Sequence, residues 1–290
     1  MTPDAQPALL ADVPPLARYM TFRLGSGVER KDLTERLAAL QLDARHVLGL
    51  GPSVVVLLGG GVDDLRELAP LAGPGAAMPS TPAALWCWLR GDDRGELLHA
   101  GRALARALAP ALELVDATDA FRYGSGRDLS GYEDGTENPT GSRARVVALR
   151  ADGSSLVAVQ KWVHDLDAFE AMAAAERDAT IGRRIRDNEE IEDAPESAHV
   201  KRAAQESFAP EAFVLRRSMP WADACGAGLM FVAFGATLDP FEALARRMVG
   251  LEDGLVDALF RFTRPVTGAA FWCPPVDRGA LDLRALGSGG

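Results

Sequence analysis

The chain has 290 residues, 48% hydrophobic and 25% charged, an ordinary globular composition with room for one large domain or two of about 145 residues each. Its net charge of −10 argues against nucleic acid as the main partner, because phosphate binding needs clustered Lys and Arg. Cys87, Cys225 and Cys273 form no CxxC pair, which argues against a disulfide framework or a cysteine zinc site and fits a reducing compartment. After a Pro-rich entry, "ARYMTFRL" alternates as a strand does, and "GVERKDLTERLAALQL" carries its leucines at helical spacing. "SVVVLLGG" reads as a buried strand ending in glycines, and "STPAALWCWLRG" as the next strand. "DDRGELLHAGRALARALAP" is a helix with acids at its start and Pro110 beyond its end. "LELVDATDAFRYG" is the last strand of this half.

A second half repeats that order. "SSLVAVQKWVHD" is a strand, and "DLDAFEAMAAAERDA" a helix with Asp165 or Asp167 at its N-cap. A polar, irregular stretch runs from Ile181 to about Pro210. "AFVLRRSM" and "GLMFVAFGA" are strands, "PFEALARRMVG" a helix with Pro in its first turn, "GLVDALFRFT" a helix and "TGAAFWCPP" a final strand. Each half is thus β-α-β-β-α-β, which builds an antiparallel sheet with helices on one face. The expectation is an α+β fold of two ferredoxin-like domains, divided at 1–145 and 146–290. The opening residues lack a basic stretch followed by a long apolar run, and no segment reaches roughly 18 apolar residues. A soluble, cytoplasmic protein with no membrane partner follows as an expectation.

Three stretches could carry chemistry. "DLSGYEDGTENPTG" (128–141) packs Asp128, Glu133, Asp134 and Glu137 among glycines, so Asp134 projects from a tight turn. The same residues also suit an Asx-type turn that satisfies its own backbone. The segment 180–202 holds six acids between Asp187 and Glu196, with His199 as its titratable group. His164, in "WVHDL", is the rival histidine and is explained by a hydrogen bond at a helix start. In "LRRSMPW", Arg216 and Ser218 lie two apart on a predicted strand and share a face, while Arg217 points the other way. One of the two arginines then faces a buried side and needs an anionic or polar partner.

Together these stretches resemble the dye-decolourising peroxidase family, in its bacterial cytoplasmic branch. "GYEDGTENP" looks like the family's Gly-x-x-Asp-Gly loop, and "HDL", "IGRR", "AHV", "RxSMP" and "VTGAAFW" follow in the family's order. The resemblance covers roughly Ala17 to Pro275. It implies two ferredoxin-like domains in a dimeric α/β-barrel-like arrangement, with one haem b in the second domain. By motif, His199 is the proximal iron ligand, Asp134 the distal acid and Arg216 the distal arginine. Ser218 stands where some relatives carry Asn. Phe231 is the distal-face aromatic, Arg183 (with Arg184 beside it) the propionate partner, and Asp257 the acceptor of the proximal histidine's proton. Gly135 and Thr136 of the loop join the haem-binding set. The implied activity is reduction of hydrogen peroxide through a ferryl intermediate at the expense of an organic donor, a dye or phenol. A haem-handling protein with incidental peroxidase activity is the alternative. Tyr132, Trp162, Trp221 and Trp272 are candidate routes for electrons from bulky donors, although core packing explains each. The family also implies a homo-oligomer. The tail "DRGALDLRALGSGG" reads first as a plain C-terminal element with a free end; it also bears a likeness to peptides that dock such enzymes in nanocompartment shells.

Overall fold

Strand β1 (Leu16–Leu24) opens the first half of the computed structural model, which describes residues 4–286. Ala17 and Tyr19 point to one face of it and Met20 and Phe22 to the other, and all four are buried. A strand buried on both sides needs a layer on each. On one side lie α1 (Arg30–Ala38), α2 (Pro52–Leu57) and α3 (Arg94–Leu108), the last capped by Asp93, whose side chain accepts the Glu96 N–H. The other strands of this half are β2 (His46–Leu50), a short hairpin of β3 (Leu71–Ala72) and β4 (Ala77–Met78), then β5 (Leu85–Gly91) and β6 (Leu112–Phe121).

The second half begins with α4 (Gly141–Ala148) and β7 (Ser155–His164). It continues through α5 (Leu166–Ala171), α6 (Ala174–Ile181), α7 (His199–Arg202), β8 (Leu215–Arg216), β9 (Met219–Asp223), β10 (Gly226–Gly235) and α8 (Asp239–Met248). After a 3-10 turn at Ala258–Arg261 come β11 (Thr263–Pro265), β12 (Ala269–Cys273) and a hairpin of β13 (Val276–Asp277) and β14 (Ala280–Leu281). The last four residues of the tail singled out above lie outside the described residues.

The two main sheets run β2-β5-β1-β6 and β12-β7-β10-β9, all antiparallel. Counted within its own half, each has the order second, third, first, fourth strand, the ferredoxin-like arrangement expected from the element pattern. The sheets meet at two seams of one residue pair each, Trp272 with Leu50 and Ala120 with Trp221. The eight strands so close into a barrel, which leaves no open edge between the halves. Tyr19, Trp86, Trp88, Phe234 and Phe271 fill its interior, Tyr19 stacked on Trp88 at 6.0 Å.

Three local readings are corrected. "SVVVLLGG" is the helix α2, not a strand: Gly51 precedes it and Pro52 sits in its first turn, a helix start that outweighs the β-preference of three valines. "GLVDALFRFT" is only the 3-10 turn running into β11. "AFVLRRSM" is interrupted after Arg216, so Arg216 and Ser218 do not share one continuous strand face.

Candidate active site

The loop from 122 to 140 connects β6 to α4, and hence one half of the barrel to the other. Gly135 lets it turn: its φ is +74°, and a Cβ there would come 2.8 Å from Asn138 Nδ2. Asn138 grips the start of the next element, because Nδ2 donates to the Arg216 carbonyl at 2.9 Å and Oδ1 accepts the Arg216 N–H at 2.8 Å. The Asp134 N–H donates to the Gly126 carbonyl at 3.1 Å. These ties bring Asp134 Oδ1 to 3.5 Å from Arg216 Nη1, both side chains about one-fifth exposed. Arg216 Nε is buried without a hydrogen-bond partner among the described residues.

Asp134 and Arg216 open onto a cavity with about 1010 Å³ of space free of protein atoms, including its solvent-open part. The pleat of β7 turns Gln160, Trp162 and His164 into it. β10 adds Leu229 and Phe231, and α8 adds Phe241, Leu244, Ala245 and Met248. The walls are therefore apolar, with few converging polar groups, as in a cofactor site.

Two histidines line this cavity, and their partners separate them. His164 has both ring nitrogens engaged: Nε2 with Asp128 Oδ1 at 2.9 Å and Nδ1 with Thr263 Oγ1 at 2.6 Å. His199, at the start of α7, has Nδ1 at 2.8 Å from Oδ2 of the fully buried Asp257. Asp257 Oδ1 caps the 3-10 turn by accepting the Leu259 N–H at 2.8 Å. The carboxylate acceptor fixes the ring proton on Nδ1 and leaves Nε2 unengaged among the described residues, the state a metal-ligating imidazole needs. No three His, Cys, Asp or Glu side chains cluster as a metal cage among the described residues. A metal ligated by His199 would therefore bring its other ligands with it, as a macrocycle does.

Of the other expected residues, Phe231 lines the cavity and Ser218 and Gly135 an adjoining cleft, while Thr136 and Arg183 line neither. Phe231 lines the cavity and leans on Phe241 at 6.1 Å. Ser218 and Gly135 line a second, polar cleft that meets the cavity at Asp134, Arg216 and Leu229, and Ser218 Oγ accepts the Val232 N–H at 3.4 Å. Arg217 lines that same cleft; its partners are the carbonyls of Leu10, Ala11 and Arg216. Both arginines are half-buried: Arg217 is held by backbone oxygens, and Arg216 faces the Asp134 carboxylate. Thr136 is exposed, with Asn188 Nδ2 at 3.5 Å. Arg183 is buried and pairs with Glu190 at 2.5 Å and Glu137 at 3.2 Å, while Arg184 pairs with Asp187 and Glu189 on the surface. Tyr132, Trp162, Trp221 and Trp272 are all buried, so none offers a surface entry for electrons.

Sequence reasoning missed the Asp128–His164 pair. Burial alone would raise the Asp128 carboxyl, but the His164 hydrogen bond and charge, with two Ser130 donors, outweigh it and hold it below the usual range. Tyr132 is pushed up, by burial first and then by its bond to Asp178.

A family model described as "Dyp-type peroxidase, C-terminal" matches residues 125–278. A dye-decolorizing peroxidase of Mycobacterium tuberculosis is 30% identical over 226 residues, 74% of this chain and 68% of that protein. One of Mycolicibacterium paratuberculosis is 29% identical over 92% of this chain and 75% of its own length. Among solved structures, a dye-decolorizing protein from V. cholerae aligns with a TM-score of 0.82 and 28% identity, covering 93% of this chain and 97% of that one. A variant of DypB from Rhodococcus jostii RHA1 in complex with heme aligns with a TM-score of 0.84 and 26% identity, covering 93% and 96%.

Proposed function

We propose the following function on the premise that the chain belongs to the Dyp-type peroxidase family and is a peroxidase. It would bind one haem b in the apolar cavity, with His199 Nε2 holding the iron, and use hydrogen peroxide to oxidise organic donors such as dyes or phenols. The haem, when bound, supplies an iron that accepts peroxide and passes oxidising equivalents to the donor. The observation that carries the reading is the His199–Asp257 pair, in one apolar cavity with the Asp134–Arg216 pair.

The remaining work falls to side chains. Asp134 takes a proton from the near peroxide oxygen and returns it to the far one. The Arg216 guanidinium stabilises the negative charge that grows as the O–O bond breaks. Ser218 organises water in the outer cleft, and Phe231 would supply an apolar surface for the haem. Gly135 and Thr136 would help hold the haem through the loop backbone. Arg183 is the propionate partner, released from Glu137 and Glu190, both more than half exposed. A division ahead of α4, because the 145/146 boundary expected from the sequence falls inside that helix, a cytoplasmic location and assembly of several copies, with docking in a nanocompartment shell through the tail, complete the proposal. No helix among the described residues is long and apolar enough to cross a membrane.

Purified chain titrated with haem, then mixed with peroxide and a phenol, tests this. The expected result is a Soret band with one haem per chain and turnover of the phenol, lost in His199→Ala and kept in His164→Ala. A chain that binds haem but leaves peroxide and phenol unreacted is a haem carrier, not a peroxidase.

A further inference from the structure

Asp134 sits near the middle of a loop held at two points. Four residues after it, Asn138 holds the Arg216 backbone. Six residues before it, Asp128 holds His164 at the end of β7. The two ties grip different strands, so the loop is stretched between them with Asp134 inside the span. The earlier tie is the more buried, with the His164 side chain 5% exposed and that of Asp128 16%. It is closed on every side. Asp128 Oδ2 accepts from Ser130 N at 2.8 Å and Ser130 Oγ at 2.5 Å, and Thr263 holds the far ring nitrogen. The Asp128 backbone continues the hold: its N–H donates to the Tyr132 carbonyl and its carbonyl accepts the Gly131 N–H, both at 2.9 Å. A displacement of Asp128 therefore passes through one closed turn to Glu133 and Asp134.

We infer that His164 is a positioning residue for the proton-transferring Asp134, acting through Asp128. His164 is not a ligand, since both its nitrogens are used, and it lies on the wall of the cavity. Its task is to hold the loop at the one register in which Asp134 reaches Arg216 at 3.5 Å. That separation is just outside hydrogen-bond length, so a small shift either closes an ion pair that occupies both groups or parts them. A misplacement of about 1 Å at such a site costs on the order of 10²-fold in rate.

The inference rests on the peroxidase reading for its kinetic arm and not for its exchange arm. The kinetic arm follows the change in the Soret band after peroxide mixing in haem-loaded wild type, His164→Leu, His164→Gln and Asp128→Asn. His164→Leu is expected to react about 10- to 100-fold slower, while His164→Gln, whose amide still donates to Asp128, stays within about threefold of wild type. In an Asp134→Ala background His164→Leu is expected to cost nothing further, because the residue it positions is gone. A merely structural role would slow both backgrounds alike. The exchange arm measures amide hydrogen exchange in the haem-free chain, where His164→Leu should speed exchange across 126–134 and leave 141–148 unchanged. Should His164→Leu fail to fold, Asp128→Asn carries the same expectations. Wild-type rates in His164→Leu, an undiminished effect in the Asp134→Ala background, or loss of haem binding in both His164 variants would each overturn the inference. A wild-type chain inert to peroxide would instead sink the peroxidase reading, leaving the exchange arm to decide the loop tie.

Discussion

Asp257→Asn tests the ligand assignment through a residue that never touches the iron. The substitution is isosteric and can keep one of the two contacts intact: an amide oxygen in the Oδ1 position still accepts the Leu259 N–H that caps the 3-10 turn. A helix-type cap is worth about 0.5–2 kcal/mol, so retaining it spares the fold. The other contact reverses. The amide nitrogen now sits where Oδ2 lay 2.8 Å from His199 Nδ1, and it donates where the carboxylate accepted. The ring proton is driven to Nε2, the nitrogen assigned to the iron. Removing the hydrogen-bond partner of a metal-ligating histidine typically costs 10- to 100-fold in metal affinity, about 1.4–2.7 kcal/mol. Asp257→Ala should do worse, since it loses the cap and a hydrogen bond to a charged group worth about 1.5–3 kcal/mol. The assay is a haem titration followed at the Soret band, beside thermal unfolding of the haem-free chain. Asn is expected to weaken haem binding 10- to 100-fold while shifting the unfolding midpoint less than Ala does. Unchanged haem affinity and an unchanged spectrum in Asp257→Asn would mean that His199 Nε2 is not the ligand.

Asp134→Ala and Arg216→Leu should each slow the reaction with peroxide by about 10²–10³-fold with haem still bound; stopped-flow mixing at wild-type rate in both removes them from the mechanism. Ser218→Ala should have a much smaller effect than Arg216→Leu, because its hydroxyl lies in the outer cleft against the Val232 N–H; equal losses would make that hydroxyl a catalytic donor. Asp128 titrates below its usual range in the folded chain, so its stabilisation is complete above the unfolded value of about 4 and fades as pH falls through the lower folded value. Asp128→Asn should therefore unfold well below wild type in temperature at neutral pH, with the gap closing under stronger acid; a gap independent of pH contradicts the account of a stabilised carboxylate. Gly135→Ala should destabilise by about 1–2 kcal/mol, the cost of a left-handed residue with a Cβ, here pressed against Asn138; chemical denaturation reads it directly.

The order of strands and helices was legible because both halves alternate at strand or helix period, and that order selects the sheet topology. What the local pattern could not reveal lay in contacts between distant residues. Gly49 interrupts the apolar run of β2, yet the strand forms there, because Phe271 packs where a Cβ would stand, at 2.7 Å. Arg217 finds two of its partner carbonyls more than 200 positions earlier, and no spacing rule reaches that far. His199 and Asp134 were found by their motifs, not by periodicity. The Asp128–His164 tie escaped because each residue had a sufficient local explanation, a turn for one and a helix start for the other. Only closure of the barrel brings them within 2.9 Å.

The loop that carries Asp134 is also the cord between the two half-barrels, and its partner Arg216 belongs to the second half alone. The proximal pair, His199 and Asp257, lies wholly within that second half. The Asp134–Arg216 pair therefore spans the two halves, whereas the His199–Asp257 pair does not. On the proposed roles, a cut in that cord parts the proton-moving pair and spares the histidine–carboxylate pair.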